Sequence, residues 1–271
     1  MLEVWQLEFM QNALAAGVLV SIACGIVGTL VTVNRIVFIS GGIVHAAYGG
    51  IGLGYFFRFD PVLGAIAFSV VAGLVMGAVQ RKTRQRADTI IGVIWAIGMA
   101  VGIILIDLTE GYKGDLMSYL FGSILTVPRR ELLLLLVLDA CTLLIVTLLY
   151  KELLAISFDE TFATVRNVPV DAIYMLLMCA IAVTVVMLMQ IVGLIIVVAL
   201  LTIPAAIAEF FVKDIKWMMF LASLFGIVFN TAGLWLSYSF NLTSGATIIL
   251  VAGAAYLLAL AAKPLVSNHW P

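Results

Sequence analysis

The chain consists mainly of long apolar runs, each separated from the next by charged residues, a proline or a glycine. Nine such runs can be read, at 10–33, 36–57, 61–80, 89–108, 131–150, 171–190, 192–211, 217–239 and 245–262. Each is close to the roughly twenty residues that an α-helix needs to cross a bilayer. The runs are continuous, whereas the strands of a membrane β-barrel alternate over about ten residues. The pattern therefore predicts an all-α, polytopic helical membrane protein with eight or nine transmembrane helices.

Composition agrees with this fold class. Of the 271 residues, 64% are hydrophobic and only 11% are charged, and the mean hydropathy is +1.22. Soluble domains are close to half apolar and a quarter charged. The net charge of −1 gives no indication of nucleic-acid binding. No linker or internal repeat is visible, so we expect a single transmembrane domain over 1–271.

The stretch 116–127 (LMSYLFGSILTV) is apolar but only about half as long as a span. Two interpretations fit this length, a re-entrant half-helix and a short, tilted span. We favour the half-helix.

A polar segment, Ser157–Asp171 (SFDETFATVRNVPVD), interrupts the apolar pattern. Phe158, Phe162 and Val165 lie at positions i, i+4 and i+7, which form one face of a short helix. The remaining positions include the charged residues Asp159, Glu160 and Arg166. This pattern predicts an amphipathic helix outside the bilayer, at about 157–169, of a kind that can dock on a cytosolic partner.

The distribution of basic residues predicts which side this segment faces. With nine spans and the N-terminus outside, ten of the fourteen Lys and Arg residues lie on the cytoplasmic side, and Arg58, Lys113, Arg129 and Arg130 lie outside. Cytoplasmic loops normally carry the excess of positive charge. We therefore expect the polar segment and the C-terminus to be cytoplasmic.

His45 is an ionisable residue near the middle of the second run, SGGIVHAAYGGIGLGYFF. An ionisable group at that depth costs a few kcal/mol, which makes a functional role the default interpretation. Neutral imidazole is a common ligand of transition metals. The alternative is a neutral histidine that is hydrogen-bonded across a helix interface.

Asp139 lies equally deep in the fifth run. It is a candidate metal ligand, proton-linked carboxylate or partner in an interhelical hydrogen bond, and these alternatives stay open. In the seventh run, Pro204 removes a backbone hydrogen bond, and Gly193 lies shortly before it. We interpret these two residues as a candidate hinge beside a translocation pathway.

Six separated segments resemble, in order, the transmembrane permeases of ABC importers for zinc, manganese and iron. They are SGGIVHAAYGGIGLGY, DTIIGVIWAIGMAVG, SYLFGSILTV, SFDETFATVRNV, VGLIIVVALLTIPAAIA and LTSGATIILVAG, and they are distributed over most of the chain, between residues 40 and 253. The fourth resembles the cytoplasmic coupling helix that docks on the ATPase.

The resemblance implies a homodimer in the inner membrane that works with a cytosolic ABC ATPase and an extracytoplasmic solute-binding protein. Divalent metal would be the substrate, met by His45 on its way through, and no cofactor would be permanently bound. Residues implied to contact the ATPase are Phe158, Asp159, Glu160, Phe162 and Arg166. The chain itself has no GxxxxGK[ST] phosphate loop, so ATP hydrolysis is assigned to the partner and the chain is not expected to be an enzyme.

One departure from the family pattern affects the metal site. The family usually has an aspartate four residues before the histidine, where this chain has Gly41. His45 alone makes a weak site, since a cation normally needs three or more donors. Tyr48, Asp139 or another helix would supply the rest, unless the metal arrives chelated. A different class of protein also fits, a proton-coupled secondary transporter of metal or small organic solute that uses Asp139 and His45.

Overall fold

The computed structural model describes residues 8–83, 87–110, 122 and 124–267, without the side chains of 87 and 263–267. This part of the chain forms eleven α-helices, a 3₁₀ turn at Ile124–Thr126 and no strand. The helices are α1 (Glu8–Val33), α2 (Val37–Phe57), α3 (Pro61–Lys82), α4 (Ala87–Leu108), α5 (Arg129–Leu148), α6 (Tyr150–Phe158), α7 (Glu160–Val165), α8 (Val170–Val192), α9 (Leu194–Phe211), α10 (Ile215–Phe240) and α11 (Ser244–Ser267).

Nine of these helices, all except α6 and α7, are long and apolar enough to cross a membrane, with mean hydropathies between 1.4 and 2.6. Their ends lie within a few residues of the nine predicted runs. The all-α polytopic fold is therefore confirmed. Most of the proposed half-helix at 116–127 lies outside the described residues, so that interpretation stays a prediction.

Short polar residues fix several helix ends. The carboxylate of Asp60 accepts a hydrogen bond from the backbone N–H of Val62 at 2.8 Å, and Pro61 occupies the first turn of α3. An N-cap carboxylate followed by proline is a favourable start for a helix. At the other end of the preceding loop, α2 ends at Arg58 in the left-handed conformation (φ 58°). The reversal between α2 and α3 is thus encoded locally.

The chain packs as two compact units. One, called here the His45 unit, comprises 33–120 and 144–190; the other, the Asp139 unit, comprises 1–32, 121–143 and 191–271. The prediction of one transmembrane domain over 1–271 concerns the folding of the whole chain and stays a prediction.

In the His45 unit, α2 packs along both α3 and α4 at glycines. Gly50 of α2 and Gly64 of α3 are in such close contact that a Cβ on either would overlap the backbone of the other. Gly102 of α4 lies in the same way against the backbone of Tyr48 and Gly49. Small residues allow membrane helices to approach closely, where dispersion contacts hold them together. These contacts fix α2, and with it His45, between its two neighbours.

In the Asp139 unit, α9, α10 and α11 pack around Ile207, Phe229 and Ala252. A buried polar contact joins α1 to α10, because the side-chain amide of Asn230 donates to the Ser21 hydroxyl at 2.8 Å and to the Gly17 carbonyl at 3.3 Å. Hydrogen bonds of this kind are a usual way to hold membrane helices together.

Candidate functional site

The polar segment begins with a capped helix boundary. Phe158 ends α6, and the Asp159 carboxylate then accepts hydrogen bonds from the backbone N–H groups of Thr161 (2.8 Å) and Phe162 (3.0 Å). This is an N-cap, and it starts a new helix, α7. Asn167, in the left-handed conformation (φ 58°), ends the segment's helical part. The helix therefore covers Glu160–Val165, which is shorter than the predicted 157–169, because the cap breaks the chain between α6 and α7.

The apolar residues of this segment are exposed. Phe158, Phe162 and Val165 are 71%, 53% and 77% exposed, whereas Ala163 on the opposite side of α7 is fully buried. The Arg166 guanidinium lies 5.4 Å from the centroid of the Phe162 ring. An exposed apolar patch on a polar segment indicates an interaction surface. We call these three apolar residues the docking face.

Asp159 and Glu160 make contacts within the fold. Asp159 is used as the cap, and Glu160 lies 3.4 Å from Arg81 at the end of α3. Both residues were predicted to contact the ATPase, because periodicity does not reveal which charged side chains make contacts within the fold.

A cleft of about 780 Å³ lies beside α7 within the His45 unit. Its lining includes Asn34 and Arg35 before α2, Arg81 at the end of α3, residues 156–161, and Tyr174 of α8. The loops after the first, third and fifth spans therefore meet at one end of this unit. The count of basic residues assumed that successive spans cross the membrane in opposite directions, and that assumption requires these three loops to lie at the same end.

His45 is partly buried on α2, and its Nδ1 lies 2.8 Å from the Gly41 carbonyl oxygen. Because a carbonyl oxygen only accepts hydrogen bonds, Nδ1 carries the hydrogen in the neutral ring. The Nε2 lone pair is then available to a ligand, which is the usual arrangement of a metal-binding histidine. The ring also packs against Trp95 of α4, with centroids 4.2 Å apart. Trp95 was not among the predicted site residues, although it lies in one of the segments that carry the family resemblance.

Open space adjoins His45 on the side of Gly41. A Cβ built on Gly41 meets no atom within 4 Å, and the same holds for Gly92 of α4. One helical turn after His45 along α2, Tyr48 is fully buried. Within the described part of the chain, no group of three or more His, Cys, Asp or Glu residues is placed to hold a metal ion.

Asp139 belongs to the other compact unit and is 7% exposed. Both of its carboxylate oxygens are buried, and neither has a hydrogen-bond partner among the described residues. A buried carboxylate without a partner is costly, which keeps its functional interpretation open. Its role as a metal ligand stays a prediction.

The candidate hinge residues lie at a sharp turn and inside a helix. Gly193 (φ 84°) is the single residue between α8 and α9, and Gly122 lies directly against its backbone. Pro204 is buried inside α9, which continues through it. A positive φ at Gly193 is conformationally easy only for glycine. Their role in a pathway stays a prediction.

Comparison with known proteins identifies the family. Residues 6–263 match the ABC 3 transport family. The chain is 63% identical over 261 residues (96% of this chain, 93% of the relative) to an uncharacterized membrane protein of Synechocystis sp.. It is 33% identical over 266 residues (97% of this chain, 91% of the relative) to the manganese transport system membrane protein MntC of Halalkalibacterium halodurans.

A solved structure also has this fold. The structure of PsaBC from Streptococcus pneumoniae in complex with Fab superposes with a TM-score of 0.85 at 34% identity, covering 95% of this chain and 93% of that chain. The family resemblance is confirmed over almost the whole length of the sequence. The chain therefore belongs to the ABC 3 transport family, as a multi-pass permease subunit of an ABC transporter.

Proposed function

We propose that this chain is the membrane-spanning permease of an ATP-driven importer of divalent transition-metal ions, among which manganese is favoured over zinc and iron. The observation that carries the proposal is the match along nearly the whole chain to a relative named as a manganese transport system membrane protein. The match to PsaBC supports the same kind of subunit.

In this function the chain works as a homodimer surrounded by lipid in the cytoplasmic membrane. Its N-terminus is outside and its C-terminus is cytoplasmic, in accordance with the basic loops. The docking face binds a cytosolic ATPase, one on each permease, and a solute-binding protein delivers the metal from outside. ATP-driven closure of the ATPases moves α7 and switches the spans between inward and outward access. The chain carries no catalytic residue of its own.

The pathway binds the metal ion only transiently. His45 presents Nε2 to the ion, and with Gly41 in the preceding turn it has no carboxylate beside it on the same face of α2. A single imidazole binds weakly, and weak ligation lets an ion leave as well as enter. Tyr48 and Asp139 are further candidate donors. A chelated metal, which needs no protein carboxylate, is the alternative substrate.

This function is tested by measuring which energy source, ATP or a proton gradient, drives uptake. The permease, its ATPase and its solute-binding protein are reconstituted in proteoliposomes, and manganese uptake is measured. We expect uptake to require ATP, to be abolished when the phosphate-binding lysine of the ATPase is replaced, and to survive dissipation of the proton gradient. Uptake that depends on the proton gradient alone, and that is lost in Asp139→Asn, would instead favour the secondary transporter.

Gly41→Asp tests the metal site. A Cβ at this position meets no atom within 4 Å, so there is space for the first side-chain atom, and position 41 lies one helical turn from His45. We expect Mn(II) to bind to the detergent-solubilised complex at least roughly tenfold more tightly, since a second, anionic donor joins the imidazole.

Gly41→Asn is the matched control, because it has the same shape without the charge and should gain far less. His45→Ala added to Gly41→Asp should remove most of the gain. Equal affinity in the Asp and Asn variants, or a gain that persists without the imidazole, would contradict a site at this turn.

A further inference from the structure

We propose that Arg81 is a positioning residue that transmits the movement of α7 to the turn of α2 that carries His45. This inference rests on the proposed function and identifies how the ATPase would act on the metal pathway. From the sequence, Arg81 is one of the basic residues expected on the cytoplasmic side, and its contacts in the structure indicate a further role.

Arg81 joins three helices. Its Nε donates to the Asp171 carboxylate in the first turn of α8 at 2.7 Å, and its Nη1 lies 3.4 Å from the Glu160 carboxylate at the start of α7. The guanidinium also lies 5.2 Å from the ring centroid of Tyr174. Its side chain is only 22% exposed. The planar guanidinium suits this task, since it presents several donors in fixed directions and stacks on aromatic rings.

The half of α3 that ends at Arg81 is held between α2 and α8. On the α2 side, the sulfur of the fully buried Met76 lies 3.2 Å from where a Cβ on Gly42 would be. On the α8 side, a Cβ on Gly77 would come within 2.8 Å of Met178 Cγ. Gly77 and Arg81 share a face of α3, because they are four residues apart. A displacement of this end of α3 is therefore transmitted to α2 by direct contact.

The contact with α2 occurs next to His45. Gly42 precedes His45 by three residues, and Ile43, between them, packs against Gly73 of α3, where a Cβ would lie 3.1 Å from Ile43 Cδ1. Closely packed helices move as rigid bodies because their side chains interdigitate without free volume. The route thus runs from Glu160 through Arg81 and α3 to the His45 turn.

A second link connects the same segment to the start of α2. The Asn34 amide donates to the Ser157 hydroxyl at 3.1 Å, and that hydroxyl donates to the Leu153 carbonyl oxygen at 2.7 Å. Asn34 lies three residues before α2, so this second link reaches the same helix as the route through α3. Replacement of Arg81 by a neutral residue would break the ionic link through α3 and leave the neutral Asn34–Ser157 link in place.

The test measures the number of metal ions imported per ATP hydrolysed in the reconstituted complex. In Arg81→Gln we expect this ratio to fall roughly tenfold, while ATPase co-purification and the midpoint of thermal unfolding stay close to those of the unaltered chain. Lys82→Gln is the matched control, since it removes the same charge from the next residue of α3, which is exposed, and should leave the ratio unchanged. Arg81→Lys keeps the positive charge but lacks the several N–H donors of the guanidinium, so it should recover only part of the ratio.

A double-mutant cycle distinguishes a positioning role from a general loss of charge. If Arg81 acts through Glu160, then Arg81→Gln combined with Glu160→Gln should lower the ratio no further than the more severe single variant. An unchanged ratio in Arg81→Gln, equal losses in Arg81→Gln and Lys82→Gln, or fully additive losses in the cycle would each overturn the proposal. If the unaltered complex shows no ATP-driven uptake, the proposed function fails and this role fails with it.

Discussion

Phe162→Ala is expected to uncouple the permease from its ATPase. Phe162 is 53% exposed on α7, and its ring is one of the two large aromatic groups of the docking face. Truncation of an aromatic anchor in an interface costs about 2 kcal/mol or more, which corresponds to roughly thirtyfold weaker binding. We therefore expect weaker co-purification of the ATPase and a loss of ATP-driven uptake of similar size. Both are measured on the purified complex, with the thermal unfolding midpoint as a check on the fold.

Phe57→Ala is the matched control. Phe57 is also an exposed aromatic residue, at 65%. It is the last residue of the 21-residue α2, whereas the cleft lies at the other end of that helix. It should leave ATPase binding and uptake unchanged. If Phe162→Ala behaves like Phe57→Ala, the docking face has no such role and α7 is only a connection between spans.

Charge changes at Asp159 are a poorer test of the same surface. Because Asp159 caps α7, Asp159→Ala would cost about 1 kcal/mol of helix stability whatever the partner does. Asp159→Asn keeps a capping oxygen while it removes the charge. Comparison of the two separates the cap from any contact with the ATPase.

Gly102→Ala is expected to give a large loss of stability for a single added methyl group. A Cβ at Gly102 would overlap the carbonyl group of Tyr48 and lie 2.8 Å from the backbone N of Gly49. Backbone atoms cannot rotate away as a flexible side chain can, so α2 and α4 have to separate. Overpacking of this kind costs about 1–3 kcal/mol, and we expect the upper end of that range. The midpoint of thermal unfolding in detergent should fall by roughly 5–10 °C.

Gly92→Ala makes the same chemical change in the same helix and serves as the control. A Cβ there meets no atom within 4 Å, so only the higher helix propensity of alanine remains, which favours folding by up to about 1 kcal/mol. We expect an unchanged or slightly higher unfolding midpoint. Equal midpoints for the two variants would show that the close approach of α2 and α4 is not needed for stability.

The spans could be predicted because the bilayer imposes one strong rule on sequence. A helix that crosses hydrocarbon needs about twenty apolar residues and hydrogen-bonds its own backbone, so length and hydropathy reveal it. The second run, predicted at 36–57, is α2 at Val37–Phe57, and the run 217–239 is α10 at Ile215–Phe240. The exposed side of the polar segment followed from the spacing of Phe158, Phe162 and Val165.

Residue roles within that segment could not be predicted in the same way. Spacing placed Asp159 and Glu160 on a helix surface, but it could not show that one carboxylate turns back to cap α7 and the other reaches Arg81, 79 positions earlier in the chain. Likewise, the sequence marked His45 as unusual without showing that its ring packs on Trp95 or that space adjoins Gly41.

The sequence by itself determined the positions and order of the nine apolar runs, the place of the polar segment along the chain and the family, because each depends on local composition or on motifs in order. The tertiary structure alone decided which charges are used within the fold, which glycines separate backbones and which leave space, and how α3 joins α7 to the His45 turn. These properties depend on contacts between residues far apart in the chain, and no periodicity within one segment records them.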